Sequence, residues 1–279
     1  MSNLLSAELY KLRKGKSLFL GLLVVAGLVL LLYISLLMVD RIKSGEMGNG
    51  TGGVIVFESN ETMTGELGAE SMMQEVGIAG VLQQIFSGHF SGLILAVIVS
   101  IFVVKEYGTG AIKNLVGKGY SRSTIFLSKL LSTILLTIFF HLAAATISIL
   151  IGIPFLGEEG LSMTNWMDVA LYIGLQLLFE ITAAGVFVLI GELTRNLAAA
   201  IAVCIGVLLF STSLTTLLDL LCHQIGFQPT NYWFLDLMSN CPLSEFEAEF
   251  VGRSVIVSMV WFVLAAVLGV IHFQRTDVK

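Results

Sequence analysis

Six stretches of the chain are apolar almost without interruption, and polar residues gather between them. The runs cover residues 17–39, 82–104, 130–153, 169–191, 197–218 and 254–273. A helix needs about 20 apolar residues to cross roughly 30 Å of hydrocarbon, and each run is close to or above that length. A barrel strand would alternate apolar and polar positions, and these runs do not. Lipid satisfies no backbone N–H or C=O, so the runs are expected to be helices. The strictly apolar part of the second run, Gly88–Val104, is short, and the run reaches full length only if it starts near Val81, which puts Gln83 and Gln84 at its entrance. The expected fold is all-α and integral to the membrane. It is a single domain, 1–279, with outer loops at 40–81, 154–168 and 219–253.

Composition agrees. Hydrophobic residues make up 56% of the chain and charged residues 13%, whereas soluble domains carry about 25% charge. Disorder and an ordinary soluble enzyme are excluded. The net charge of −5 gives no reason to expect nucleic-acid binding. The first run follows basic residues, as a signal peptide does, but it is too long for one and no small-residue cleavage site closes it.

The charges also predict orientation. Lys11, Arg13, Lys14 and Lys16 precede the first run. Lys105, Lys113, Lys118, Arg122 and Lys129 follow the second, and Arg195, Arg275 and Lys279 fall on the same side. Only Arg41, Lys43 and Arg253 lie opposite. The positive-inside rule therefore places both termini in the cytoplasm of a plasma membrane. The outer loops are acidic, which suits either plain solubility or attraction of cations.

Three segments between or beside the spans carry pattern. Residues 3–14 place Leu5, Leu9 and Leu12 on one side of a helix and Glu8, Lys11 and Lys14 on another. An interfacial helix against membrane lipid is expected there, with Arg13 in its basic tail. Residues 65–84 could form a helix lying on the membrane. The third outer loop holds Leu221, Ile225, Phe227, Trp233, Phe234 and Leu237, too apolar for a free loop, so it is expected to pack back onto the bundle or re-enter the membrane. It also holds Cys222 and Cys241, a possible disulfide whose geometry the sequence leaves open.

The segment 105–129 is too long and too patterned for a simple turn. Gly108 and Gly110 can end the second span, and a short helix can run from Thr109 or Gly110 through Val116. Gly117 and Gly119 break it, and Ser121 is placed to cap the helix that enters the third span. Such a helix suits docking of a partner or binding of lipid headgroups. The chain has no phosphate-cradling loop of its own. Gly15-Lys16-Ser17 matches the end of one, but Tyr10 stands where its first Gly belongs.

AELYKLRKGKS at the start, EYGTGAIKNLVGKGYSRSTIFLSKLL after the second span and FQRTDVK at the end resemble the corresponding segments of ABC-2 type permeases. The likeness is to the bacterial bacitracin-resistance and lantibiotic-immunity permeases. The resemblance implies a permease subunit of an ATP-driven exporter that moves a peptide antibiotic, bacteriocin, peptide toxin or lipid-like molecule, for secretion or self-resistance. It implies an elbow helix at 3–14, including Glu8, Lys11 and Arg13. It also implies a coupling helix from Thr109 to Lys118 that docks on a separate ATPase. Glu106, Thr109, Ile112, Lys113, Asn114, Lys118 and Arg122 are the coupling candidates. Two permease chains, identical or not, and two ATPase chains would complete the transporter. ATP and magnesium would sit on the ATPase, with no cofactor and no catalysis in this chain.

Polar residues within spans are the remaining candidates. Glu180 lies near the middle of the fourth span and shares a helix face with Gln176, one turn earlier. His141 lies within the third span. A mid-membrane acid is costly on insertion scales and should face the bundle or a cavity. A substrate or cation contact and a structural hydrogen bond both remain open. An ion-coupled secondary transporter or a sodium-extruding permease using Glu180 is the alternative function. The absence of central prolines counts against broken transporter helices. An intramembrane enzyme would need catalytic motifs, and neither HExxH nor GxSxG occurs. Ala198, Ala202 and Gly206 on the fifth span, and Gly88 and Gly92 on the second, repeat at a spacing that allows close helix approach.

Overall fold

A computed structural model describes residues 4, 6–8, 10, 16–43, 78–87, 89–162, 165–222 and 227–275, and every regular element among them is helical. The helices are α1 (Lys16–Lys43), α2 (Ile78–Phe86), α3 (Phe90–Gly108), α4 (Ala111–Gly117), α5 (Arg122–Ser162), α6 (Trp166–Thr194), α7 (Leu197–Cys222), α8 (Phe234–Ser239) and α9 (Ala248–Arg275). A 3-10 turn, Pro229–Tyr232, precedes α8. Six helical stretches are long and apolar enough to cross a membrane: α1, the α2–α3 pair, α5, α6, α7 and α9. The chain is thus a multi-pass membrane protein. Its two ends differ in charge. The basic end carries α4, and the acidic end carries α2 and α8.

The spans outrun the apolar segments that predict them. The third run, expected at 130–153, belongs to a helix of 41 residues. Ser121 caps it as its position suggests, accepting the Thr124 N–H at 3.2 Å. At the other end of the same connection, Gly110 (φ 68°) and Gly119 (φ 83°) hold the left-handed backbone that isolates α4 from α3 and α5.

The second span departs from expectation. It is two helices, α2 and α3, with Ser87 and His89 at the break. His89 adopts φ 62°, outside the range of a continuing helix. No proline is involved. The side chains at the break are bonded to other elements, and those bonds stand in for helix continuity.

α6 lies at the centre, packed against α9, α5, α3 and α7. Tyr172, Phe179, Ala184, Phe187 and Val188 along it are almost fully buried. α1 and α7 are peripheral. Gly92 packs on Leu208 of α7, with a notional Cβ 3.5 Å from Leu208 Cδ2. The Ala198–Ala202–Gly206 face is open instead: both alanines are exposed, and nothing lies within 4 Å of a Cβ at Gly206.

The third outer loop packs back onto the bundle. Phe234, Leu235, Leu237 and Met238 of α8 are buried. Trp233 meets Trp261 of α9 edge-on at 4.6 Å, and Trp261 Nε1 donates to the Tyr232 carbonyl at 2.9 Å. The possible Cys222–Cys241 disulfide is not formed. Both are free thiols. Cys241 is buried, and burial pushes its thiol up to about 12.

Of the expected N-terminal helix, Leu4, Ser6, Ala7, Glu8 and Tyr10 are helical, and Leu4 and Glu8 are buried. Lys11, Arg13 and most of 3–14 lie outside the described residues, as does the part of 65–84 that precedes α2.

Candidate functional site

Two polar clusters interrupt the apolar bundle. One lies halfway along the spans, and the other lies near the basic end.

The first is built on one face of α6. Tyr172, Gln176 and Glu180 follow at four-residue spacing, so they stack along the helix, and all are fully buried. Opposite them is the break between α2 and α3. Gln176 Nε2 donates to Ser87 Oγ at 2.9 Å and to the Met238 carbonyl at 3.0 Å. Ser87 Oγ is also 2.8 Å from the Tyr172 hydroxyl. These bonds tie the broken span to α6 and to the acidic-end cap in α8. His89 Nε2 reaches Ser239 Oγ at 3.0 Å, adding a second tie from the break to α8.

One turn deeper, Glu180 is shared by two other helices. Ser91 of α3 donates to its Oε1. His141 of α5 places Nδ1 2.8 Å from its Oε2 and Nε2 3.0 Å from the Ile173 carbonyl. The Phe86 ring covers His141 at 4.3 Å between centroids. The structure thus brings His141, Gln176 and Glu180 together. Ser87, Ser91 and Tyr172 were missed, because serine and tyrosine inside an apolar run look like ordinary helix residues. Among the described residues no group of three His, Cys, Asp or Glu could hold a metal ion.

The second cluster centres on Lys129, which is 1% exposed. Its Nζ lies 3.3 Å from both Glu106 Oε2 of α3 and Glu192 Oε1 of α6. Tyr107 donates its hydroxyl to Glu192 Oε2. Lys129 and Arg195 approach the Tyr107 ring at 4.9 and 5.2 Å. Three helices are joined here just above α4. Glu106, a coupling candidate, points into this junction and is not displayed for a partner. Ile112 is buried too and anchors α4. Thr109, Lys113, Asn114 and Lys118 are exposed. Arg122 is half-buried and donates to the Gln274 carbonyl at 3.1 Å. Lys129 and Glu192 were missed as site residues.

The family described as protein of unknown function, DUF2705, matches residues 47–279. The chain belongs to the DUF2705 family. The match takes in the α2–α3 break, both polar clusters and α4. No curated protein matches the sequence.

The acidic-end cap carries its own titrating group. Asp236 in α8 is 4% exposed. Burial raises its pKa to about 6, the Thr215 side chain opposes the rise, and Asp219 adds to it. A raised carboxyl pKa means the folded state binds the proton more tightly than the unfolded chain. Its contribution is therefore full below the unfolded pKa and is lost as pH rises through about 6. Cap docking should weaken between about pH 4 and pH 6, by an amount on the order of 2–3 kcal/mol at most. Limited proteolysis of 227–247 across that range should show increasing cleavage for the unmodified protein and a flat profile for Asp236→Asn. A flat profile in both would overturn the assignment.

Proposed function

We propose that this chain is the membrane-spanning subunit of an ATP-driven exporter, with α4 as the docking helix for a separate ATPase. The observation that carries this reading is the build of α4. It is a short helix between two left-handed glycines, anchored by Ile112. It presents Lys113, Asn114 and Lys118 to solvent. Its root is braced by the Glu106–Lys129–Glu192 junction, so force on α4 reaches α3, α5 and α6 together. A helix serving only as a solvated turn needs no such brace.

The sequence likeness to ABC-2 permeases supports the same reading. In it, α4 faces the cytoplasm, two ATPase copies hold ATP and magnesium, and a second permease chain covers the open face of α7. The cargo is amphipathic, a peptide or lipid-like molecule leaving the cell.

Purification from native membrane should recover a nucleotide-binding subunit with this chain. Lys113→Glu combined with Lys118→Glu should reduce that recovery at least tenfold. The thermal unfolding midpoint should stay unchanged, because both side chains are exposed. Undiminished recovery would remove α4 as the docking site. A preparation free of any ATPase that still moves solute along an ion gradient would overturn the exporter reading altogether.

A further inference from the structure

A groove of about 630 Å³ runs along the acidic end of α7, within the size range of small-ligand sites. Its floor is one helix face, because Ser213, Thr216, Leu217 and Leu220 follow at i, i+3, i+4 and i+7. Its far wall is the strap after α7, where Phe227 and Gln228 line it. Asp219 holds that strap in place. Its carboxylate accepts the Thr230 N–H at 3.2 Å and the Thr230 hydroxyl at 2.5 Å. Phe227 in turn stacks on Tyr232, with ring centroids 5.3 Å apart.

The polar atoms of the groove favour one kind of guest. None of the residues that line it is basic, and among the described residues Asp219 hydrogen-bonds only to Thr230. A carboxylate offers about four lone pairs, so room for further donors remains. Thr216 gives its hydrogen to the Thr212 carbonyl at 2.8 Å, which leaves its oxygen as an acceptor. Asp236 lies within electrostatic reach, since Asp219 adds to the burial that raises the Asp236 pKa. Asp236 Oδ2 is buried and has no hydrogen-bond partner among the described residues. An ammonium group, with three donors and a positive charge, is the complement of such a surface. Gln228 supplies the contrast at the rim. Its Oε1 accepts from Asn231 at 2.8 Å, and its own amide N–H groups remain to donate.

The apolar part of the guest has a place too. Leu214, Leu217, Leu218 and Leu221 are exposed along the same end of α7. Asp219 stands in the last turn of that helix, which ends at Cys222. Tyr232 and Trp233 follow in the strap, and such aromatics mark the boundary between membrane and water. We propose that the groove binds a phospholipid with a primary-amine head, of the ethanolamine type, from the leaflet at the acidic end. The ammonium meets Asp219 and Thr216, the phosphate meets Gln228, and an acyl chain runs along Leu217 and Leu214. The groove begins at Ser213, about 10 Å further along the helix than Gly206. The small-residue stretch therefore stays free for a second chain.

The groove belongs to this chain alone, so its test is independent of the exporter reading. The full chain in mild detergent is given equal amounts of ethanolamine, choline and glycerol phospholipids with the same acyl chains. Native mass spectrometry then counts the lipids retained and the copies of the chain in each particle. The ethanolamine lipid should be retained about fivefold over the other two, the scale of one charge-assisted hydrogen bond at a half-exposed site. The choline head has no N–H to donate, and the glycerol head has no positive charge. Asp219→Asn keeps an acceptor for Thr230 but removes the charge, and it should abolish the preference. Thr216→Lys places the protein's own ammonium in the groove from an exposed position. It should abolish the preference as well, with an unchanged thermal midpoint. Should Asp219→Asn fail to fold, Thr216→Lys carries the test. Equal retention of the three lipids, or an ethanolamine preference that survives the substitutions, would overturn the proposal. So would a Thr216→Lys protein that loses a dimer and keeps its lipid, because the groove would then be a contact between copies of the chain.

Discussion

Replacing Lys129 with methionine should cost about 3–5 kcal/mol of stability, because it leaves two buried carboxyl groups without the cation they share. Lys129 is 1% exposed and lies 3.3 Å from both Glu106 and Glu192. Methionine fills similar space, so the loss is electrostatic and not a packing defect. The thermal midpoint of the detergent-solubilised protein, followed by tryptophan fluorescence, should fall sharply, or folded protein should fail to accumulate. Adding Glu192→Gln should restore part of the loss by removing one of the two stranded acids. The two changes should be strongly non-additive, as expected for groups in contact. A Lys129→Met protein as stable as its parent would mean that the junction is solvated.

Gly269→Ala should be the most damaging of the small substitutions. A Cβ at this position would lie 2.2 Å from Phe126 Cζ and 2.7 Å from Cε2. Phe126 is fully buried against Phe273, with ring centroids 6.3 Å apart, so the ring has nowhere to go. Overpacking of this kind costs about 1–3 kcal/mol. Gly174→Ala is the control, since nothing lies within 4 Å of its Cβ, and alanine favours the helix by about 1 kcal/mol. Thermal midpoints should therefore move in opposite directions. Phe126→Leu should reduce the penalty of Gly269→Ala when the two are combined. Equal midpoints for Gly269→Ala and its parent would contradict the close α5–α9 crossing.

The six spans were legible because crossing hydrocarbon demands a long apolar run that nothing else in a small protein requires. The start of α5 was legible too, because Ser121 reads as a cap and accepts the Thr124 N–H; its far end, which runs past 153 to Ser162, was not. The break at Ser87–His89 was not legible. Its cause is tertiary, since Gln176, Tyr172 and Ser239 bond the side chains there, and those partners lie far off in sequence. The cost of isolating an acid in lipid pointed to Glu180 and Gln176, and the same argument could have paired Glu180 with His141. Lys129 looked like one more basic residue of a connecting loop. The missed signal was Glu106 and Glu192 standing at matching depths on the neighbouring spans. Proximity in one loop suggested Cys222 and Cys241 as a pair, but loop membership is not geometry.

α5 is more than a span. From Arg122, beside α4, to His141 it runs 19 residues, or about 28 Å at 1.5 Å per residue. His141 fastens this rod near its middle to α6. A rod pinned at its centre is a lever with a fulcrum. Tilting it by about 10° would swing its basic end by about 5 Å and carry the other arm, as far as Pro154, the opposite way. Loosening the pin would convert the swing into sliding, with no leverage on the far side.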